Sequence, residues 1–221
     1  MNTILYFLIL IIPIVAQIRV TTSYNKYKKV KNSTGLSGFE VAKKILEANG
    51  LDDIYVVETA GNLTDHYDPT RKVIKLSKEI FNGESIAAAS VAAHECGHAI
   101  QDKEEYSFMR LRSFLVPFVN LVSYFSWIVI FIGFISEALN IFIFGIGLIS
   151  FGLIFQLVTL PVEFDASRRA KNELSKLNLI GSSEDEGVSN MLGAAAMTYV
   201  AAVLTSLLQI IRLFALFNRR D

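Results

Sequence analysis

The sequence has one cysteine, Cys96, among 221 residues, so the chain cannot form an internal disulfide bond. It has no net charge either, since 21 basic residues balance 21 acidic ones, and this balance argues against a nucleic-acid-binding protein. Histidine is scarce, with three residues. Apolar sequence is abundant: 52% of the residues are hydrophobic and the mean hydropathy is +0.42. Such values are typical of a membrane protein with one modest polar domain.

Two of the three histidines stand in an HExxH motif, His94-Glu95-Cys96-Gly97-His98. The alanine-rich, proline-free run from Ser85 predicts that this motif lies on a helix. On a helix His94 and His98 share one face, so both can bind one Zn²⁺ ion, and Glu95 can serve as the general base. The alternative is a pair of core histidines without a metal. Cys96 is expected to pack in the core.

Residues 3–20 form an uninterrupted apolar run, which predicts a transmembrane anchor. A cleaved signal peptide is the alternative, but no basic segment precedes the run and no clear small-residue cleavage site follows it. Four lysines come next: Lys26, Lys28, Lys29 and Lys31. By the positive-inside rule they predict that the following domain lies in the cytoplasm, with the lysines against anionic lipid headgroups.

Residues 21–114 predict a small cytoplasmic α+β core that carries the HExxH helix. The stretch from Ser37 to Glu40 matches a capping box, and the helix after it has an apolar stripe from Phe39 to Leu46 and ends at Gly50. Residues 54–58 and 73–76 have strand character and flank a turn-rich segment, residues 61–71. We expect an exposed edge of this β element to bind an extended peptide. His66, in the turn-rich segment, is either a solvated loop residue or a contact near the zinc.

Two further apolar runs, residues 115–135 and 141–162, predict a transmembrane hairpin whose linker has no Lys or Arg, as an external turn should. Residues 163–190 predict a new helix followed by a polar loop. The last apolar segment, residues 191–217, is long enough for a fourth span. However, it carries Gln209 and Arg212 and is followed by Arg219 and Arg220, so an interfacial placement stays open. Tyr199 in this segment either packs or donates a hydrogen bond to an oxyanion.

A catalytic zinc needs three protein ligands and an open fourth position. With Cys96 set aside, the third ligand is His66 or a carboxylate. Glu163 is favoured, because it follows the second hairpin span and therefore lies at the membrane surface on the same side as the HExxH helix.

Several stretches together resemble the bacterial membrane-bound neutral zinc metallopeptidases of the YugP type. These stretches are residues 94–101, 163–170, 65–69 with 74–77, and 194–202. More distantly, the chain is similar to the HtpX heat-shock protease and the CAAX prenyl protease. Those proteins also place a membrane hairpin between HExxH and a helix that bears a glutamate.

The resemblance implies one zinc ion per chain, bound by His94, His98 and Glu163, with Glu95 as the general base. The distant relatives have an aspartate four residues after the ligand glutamate, where this chain has Ser167. Either Asp165 orients a zinc histidine instead, or the groups around the histidines are arranged differently.

The sequence therefore predicts a mainly α membrane protein with three to four transmembrane helices and a small zincin-like α+β cytoplasmic domain. The predicted function is a zinc endopeptidase of the bacterial cell membrane that cleaves membrane or membrane-proximal polypeptides, in processing or quality control. A catalytically silent adaptor with a structural zinc is the alternative, but such a site would be closed by four ligands. A transporter is disfavoured because the sequence shows no paired broken helices. No feature indicates the oligomeric state.

Overall fold

A computed structural model describes residues 2–217 of the chain. Within these residues there are seven α-helices, one short 3₁₀ helix (Ser182–Glu184) and one three-stranded sheet. The helices are α1 (Asn2–Tyr27), α2 (Gly38–Ala48), α3 (Lys78–Phe81), α4 (Ile86–Lys103), α5 (Ser107–Ile135), α6 (Leu139–Lys176) and α7 (Asp185–Phe217). The strands are β1 (Tyr55–Thr59), β2 (His66–Asp68) and β3 (Val73–Ser77).

The chain divides into two compact units. Of the described residues, 2–17, 107–161 and 197–217 form one unit, called here the helical unit. Residues 18–106 and 162–196 form the other, called here the mixed unit. Every strand and the whole HExxH helix belong to the mixed unit.

The helical unit has a small core and a large apolar surface. Its core contains Ile130, Phe142, Ile146 and Leu213. Helices α5 and α6 approach closely at Gly133, where an added Cβ would lie 2.5 Å from the backbone nitrogen of Phe142. Large apolar side chains such as Phe131 and Trp127 are exposed. Apolar surface of this extent is what a lipid-facing bundle presents.

Four helices within residues 2–217, namely α1, α5, α6 and α7, are long and apolar enough to cross a membrane. Judged by length and composition, the number of candidate spans is therefore four, within the predicted three to four.

Helix α7 starts at Asp185, six residues before the predicted apolar segment, and is continuous to Phe217. Its Arg212 lies over the ring of Tyr6, with 5.0 Å between the guanidinium carbon and the ring centre. Arg219 and Arg220, which left the placement of this helix open, lie outside the described residues.

Helix α6 differs from the expectation of a hairpin followed by a new helix. It runs from Leu139 to Lys176 with Pro161 inside it, so Glu163 lies on the same helix as the second apolar run. Proline removes one backbone N–H from a helix, which interrupts its hydrogen bonding without necessarily ending it.

Helix α2 forms as its sequence predicts. Ser37 and Glu40 make the reciprocal capping-box hydrogen bonds, and Gly50 adopts a φ of +60° just beyond the helix end. The buried face contains Val41, Ala42, Ile45 and Leu46. Phe39 is only half-buried and stacks on Phe81, with 4.8 Å between ring centres.

The sheet has the order β1-β3-β2, with β1 parallel and β2 antiparallel to β3. The two predicted strands are present, but the segment predicted as turns contains β2. This strand escaped prediction because its three residues, His-Tyr-Asp, are too few to show an alternating pattern. It is one of the two edge strands and contacts α4, which places the sheet against the HExxH helix.

Helix α4 also packs against α6, and Gly97 makes that approach possible. A Cβ added at Gly97 would lie 2.5 Å from the carbonyl oxygen of Ala166. Since the obstructing atom belongs to the backbone of α6, it cannot move aside as a flexible side chain would.

We expect Gly97→Ala to destabilise the protein by about 2 kcal/mol, because overpacking outweighs the gain in helix propensity. Thermal unfolding in detergent measures this effect. The control is Gly193→Ala, where an added Cβ would have no atom within 4 Å. Equal melting temperatures for the two variants would contradict the close approach.

Candidate metal centre

Three ligand side chains meet between α4 and α6. The Nε2 atoms of His94 and His98 lie 3.3 Å and 3.6 Å from Oε2 of Glu163. Within residues 2–217, this trio is the one group of three or more His, Cys, Asp or Glu ligand atoms that converge within 4.8 Å of one another. Helix α4 aligns the two histidines one turn apart, and α6 brings the carboxylate opposite them.

The two histidine-to-carboxylate spacings are compatible with ligands of one tetrahedral zinc ion. Ligand atoms at about 2.1 Å from such an ion lie roughly 3.4 Å from one another. Both histidine-to-carboxylate distances are close to this value. Glu163 and His98 are buried, and the His94 side chain is 15% exposed. Two imidazoles and one carboxylate form a donor set common in catalytic zinc sites, so the residues fit the metal.

Gln101 fixes the orientation of His98. Its Oε1 lies 3.0 Å from Nδ1 of His98, and its Nε2 donates to the carbonyl of Val162 at 2.8 Å and to Asp165 at 2.9 Å. Carbonyl and carboxylate oxygens only accept, so the amide nitrogen must face them and Oε1 must face the histidine. His98 then carries its proton on Nδ1, which leaves the Nε2 lone pair directed at the metal position.

The same hydrogen bonds hold Glu163 in place, because Val162 and Asp165 flank it on α6. Gln101 is fully buried, so each of its bonds is protected from water. Asp165 is held in turn by Arg169, at 2.6 Å, and by Arg168. Arg169 also pairs with Glu104 just after the end of α4, at 2.7 Å. Gln101 thus joins a histidine ligand to the segment that presents the carboxylate ligand.

These contacts decide between the two arrangements expected around the histidines. Asp165 is not the direct partner of a histidine; it acts through Gln101. Ser167, which replaces the aspartate of the distant relatives, lies 3.3 Å from Nδ1 of His94 through its Oγ. Sequence reasoning missed the role of Gln101. Its signal was the spacing, since Gln101 stands three residues after His98 on the same helical face.

Glu95 is buried beside the ligands and is held by the edge strand. Its Oε2 accepts a hydrogen bond from the backbone N–H of Tyr67, at 2.9 Å. Burial raises the pKa of Glu95 to about 7, with Glu163 adding to the rise and His94 opposing it. A carboxyl group in this range can take and return a proton near neutral pH.

The side chain of Tyr67 ties the edge strand to α4. Its hydroxyl donates to Asp102 at 2.8 Å, and Lys72 donates to the same carboxylate oxygen at 2.8 Å. Burial and the Asp102 carboxylate raise the pKa of Tyr67 above its ordinary value. The strand that holds Glu95 is therefore anchored to the C-terminal end of the helix that carries Glu95.

The remaining predicted residues lie outside the trio. His66 is an exposed residue of β2, with Nδ1 2.8 Å from the carbonyl of Thr64. Tyr199 belongs to α7 in the helical unit, so its contact with the site stays a prediction. Cys96 is buried, and its thiol donates to the carbonyl of Ala42 at 3.6 Å. Burial raises the pKa of this thiol, as expected for a packed cysteine.

Comparisons with known proteins show the family of the chain. A family model described as "Putative neutral zinc metallopeptidase" matches residues 2–218. The chain is also 46% identical over 207 residues to "Putative membrane protease YugP" of Bacillus subtilis (strain 168). That alignment covers 93% of this chain and 92% of the relative. No solved structure matches the chain.

We expect Gln101→Glu to weaken zinc binding by about 10- to 100-fold, the usual effect of changing a group that orients a ligand. A carboxylate at this position keeps the acceptor for His98 but cannot donate to Val162 and Asp165. Chelator competition on the full-length protein gives the zinc dissociation constant.

The double variant Gln101→Glu/Asp165→Asn restores one N–H donor opposite the new carboxylate and should recover part of the zinc affinity. Ser167→Ala should weaken binding less than Gln101→Glu, because the Ser167 contact with His94 is longer. Wild-type zinc affinity in Gln101→Glu would show that Gln101 does not position the ligands.

Proposed function

Because the chain belongs to the Putative neutral zinc metallopeptidase family, we propose that it is an integral-membrane zinc endopeptidase. One zinc ion per chain would be held by His94, His98 and Glu163, and Glu95 would be the general base. The observation that carries this proposal is the convergence of the three ligand atoms next to a buried glutamate that is fixed by an edge strand.

Peptide hydrolysis needs a Lewis acid and a base on the same water molecule. When bound, zinc supplies the Lewis acid that polarises the scissile carbonyl and promotes ionisation of water near neutral pH. Glu95 accepts the proton that the attacking water loses as its oxygen bonds to the carbonyl carbon. Glu95 then passes this proton to the amide nitrogen as the carbon–nitrogen bond breaks, and the new carboxyl group gives up the second water-derived proton to the amine, so a carboxylate and an ammonium group leave.

The two carboxylate oxygens of Glu95 can have different roles in this reaction. Oε2 is held by the N–H of Tyr67, which fixes the plane of the carboxylate. Oε1 is the oxygen proposed to accept from the attacking water. The burial of Glu95 favours this role, because a base that is shielded from bulk solvent competes less with other water molecules for the proton.

We assign the substrate an extended conformation along the outer edge of β2. This strand pairs with β3 on one side and contacts α4 on the other. The N–H and C=O of one strand residue point to the same side, so the carbonyl of Tyr67 faces the site together with its N–H. Backbone pairing at such an edge binds peptides without strong dependence on sequence.

The substrates proposed here are membrane or membrane-proximal polypeptides in the bacterial cell membrane. Glu163 lies two residues after Pro161 on α6, a helix long enough to span the membrane. The lysines after α1 support an active site that faces the cytoplasm. Processing or quality control of membrane proteins would use such a site.

We expect Glu95→Gln to retain zinc and to lower cleavage of unfolded casein by at least about 100-fold, because the glutamine amide cannot accept a proton. We expect Glu163→Ala to lose zinc, since it removes one of three ligands. Metal content per chain and peptide release from casein, both on detergent-purified protein, measure the two effects.

Glu47→Gln on α2 is the matched control, since Glu47 is exposed and, among residues 2–217, its ion pair is with Lys43 on the same helix. Zinc retention in Glu163→Ala would move the third ligand elsewhere, with Asp165 and His66 the next residues to test. A wild-type protein that holds zinc but cleaves neither casein nor membrane proteins would favour an adaptor.

Labelling of an introduced cysteine tests the proposed orientation. We expect Lys44→Cys in α2 to react with a membrane-impermeant maleimide only after cells are lysed, because Lys44 is an exposed residue of the mixed unit. Ser136→Cys, in the exposed linker between α5 and α6, should react in intact spheroplasts. The native Cys96 is buried and should give little background. The opposite pattern would reverse the topology.

A further inference from the structure

A cleft of about 720 Å³ lies in the mixed unit, and its lining contains no residue of the metal centre. One wall is the end of α1 with the segment after it, and the other is α3 with the turn that leads into α4. The lining includes four lysines, Lys28, Lys29, Lys31 and Lys78, and two glutamates, Glu79 and Glu84.

The two walls are held together by several hydrogen bonds. The backbone N–H of Ile86 donates to Val30, and that of Asn32 donates to Glu84, each at 2.9 Å. At the buried end of the cleft the hydroxyl of Tyr24 donates to Glu79 at 2.8 Å. The lysines therefore project from a folded frame rather than from a loose tail.

The charges in the cleft are unequal. Glu79 pairs with Lys28 at 3.5 Å, and Glu84 pairs with Lys31 at 3.1 Å. Within residues 2–217, neither Lys29 nor Lys78 has a carboxylate oxygen within 4.0 Å. Two ammonium groups in the cleft thus remain available for an anion, and both side chains are exposed.

The position along the chain indicates which anion the cleft takes. The apolar helix that is long enough to span a membrane ends at Tyr27, and Lys28 and Lys29 follow directly. Residues at the end of a membrane span lie at the depth of the lipid headgroups, where phosphate is the abundant anion.

We propose that this cleft binds the phosphate of an anionic lipid headgroup through Lys29 and Lys78, with the paired lysines contributing at its rim. The commitment to a lipid rests on the direct continuity of the cleft with α1. The proposal is independent of peptidase activity and of which leaflet α1 ends in.

The test uses the full-length protein in detergent micelles, titrated with phosphatidylglycerol or with phosphatidylcholine of the same acyl chains. Native mass spectrometry counts the lipids bound per chain. We expect the wild type to prefer phosphatidylglycerol, and Lys29→Gln/Lys78→Gln to bind it about 25-fold more weakly, at roughly fivefold per lysine.

Two matched variants make the result specific. Lys43→Gln/Lys44→Gln removes the same charge from exposed positions on α2 and should bind phosphatidylglycerol as the wild type does. Lys29→Arg/Lys78→Arg keeps both charges and should retain binding. Unchanged affinity in Lys29→Gln/Lys78→Gln, or an equal loss in the α2 control, would overturn the proposal.

Competition with inorganic phosphate distinguishes the two possible ligands of the cleft, a lipid headgroup phosphate and a soluble phosphate. If inorganic phosphate displaces bound phosphatidylglycerol at millimolar concentrations but not below, the result supports a lipid headgroup as the ligand. If phosphate binds tightly to the wild type and phosphatidylglycerol does not compete with it, the ligand is a soluble phosphate and the lipid assignment fails.

Discussion

The close approach of α4 and α6 is the constraint on which the candidate site depends. At Gly97 the helices come so near that a methyl group would meet the backbone of Ala166. One turn farther along α4, the amide of Gln101 reaches Val162 and Asp165 on α6. Glycine permits the approach and glutamine gives it a fixed direction. Without both, His94 and His98 would still share a helical face, but the carboxylate of Glu163 would have no defined position relative to them.

Local features of the site could be predicted from the sequence because helical geometry acts over a few residues. The spacing of His94 and His98, the capping box of α2 and the conformation of Gly50 all follow from rules of this kind. Long apolar runs likewise predict long helices whatever surrounds them. The start of α7 and the continuity of α6 through Pro161 were not predictable in this way, since contacts outside the segment decide whether a polar stretch stays helical.

Apart from the meeting of Glu163 with the two histidines, contacts between segments that are distant in sequence were beyond prediction. The strand β2 exists because β3 pairs with it and α4 lies beside it, whereas its own three residues give no strand signal. Ser167 illustrates the same limit. Its replacement of an aspartate left two arrangements open, and the answer came from Gln101, a residue on another helix that supplies the acceptor for His98. A side chain can take over an orienting role whenever it can reach the same histidine nitrogen.

The hydrogen bond between Tyr67 and Glu95 links the binding of an extended chain to the position of the base. Any peptide that pairs with the outer edge of β2 must do so beside the N–H that already holds Glu95. A shift of β2 would therefore move the proposed base as well as the proposed binding edge. The hydroxyl of Tyr67 opposes such a shift through Asp102, which stands on the same helix as His94, Glu95 and His98. One tyrosine thus joins the edge, the base and the ligand helix through two hydrogen bonds, and a displacement of β2 relative to α4 would have to break both.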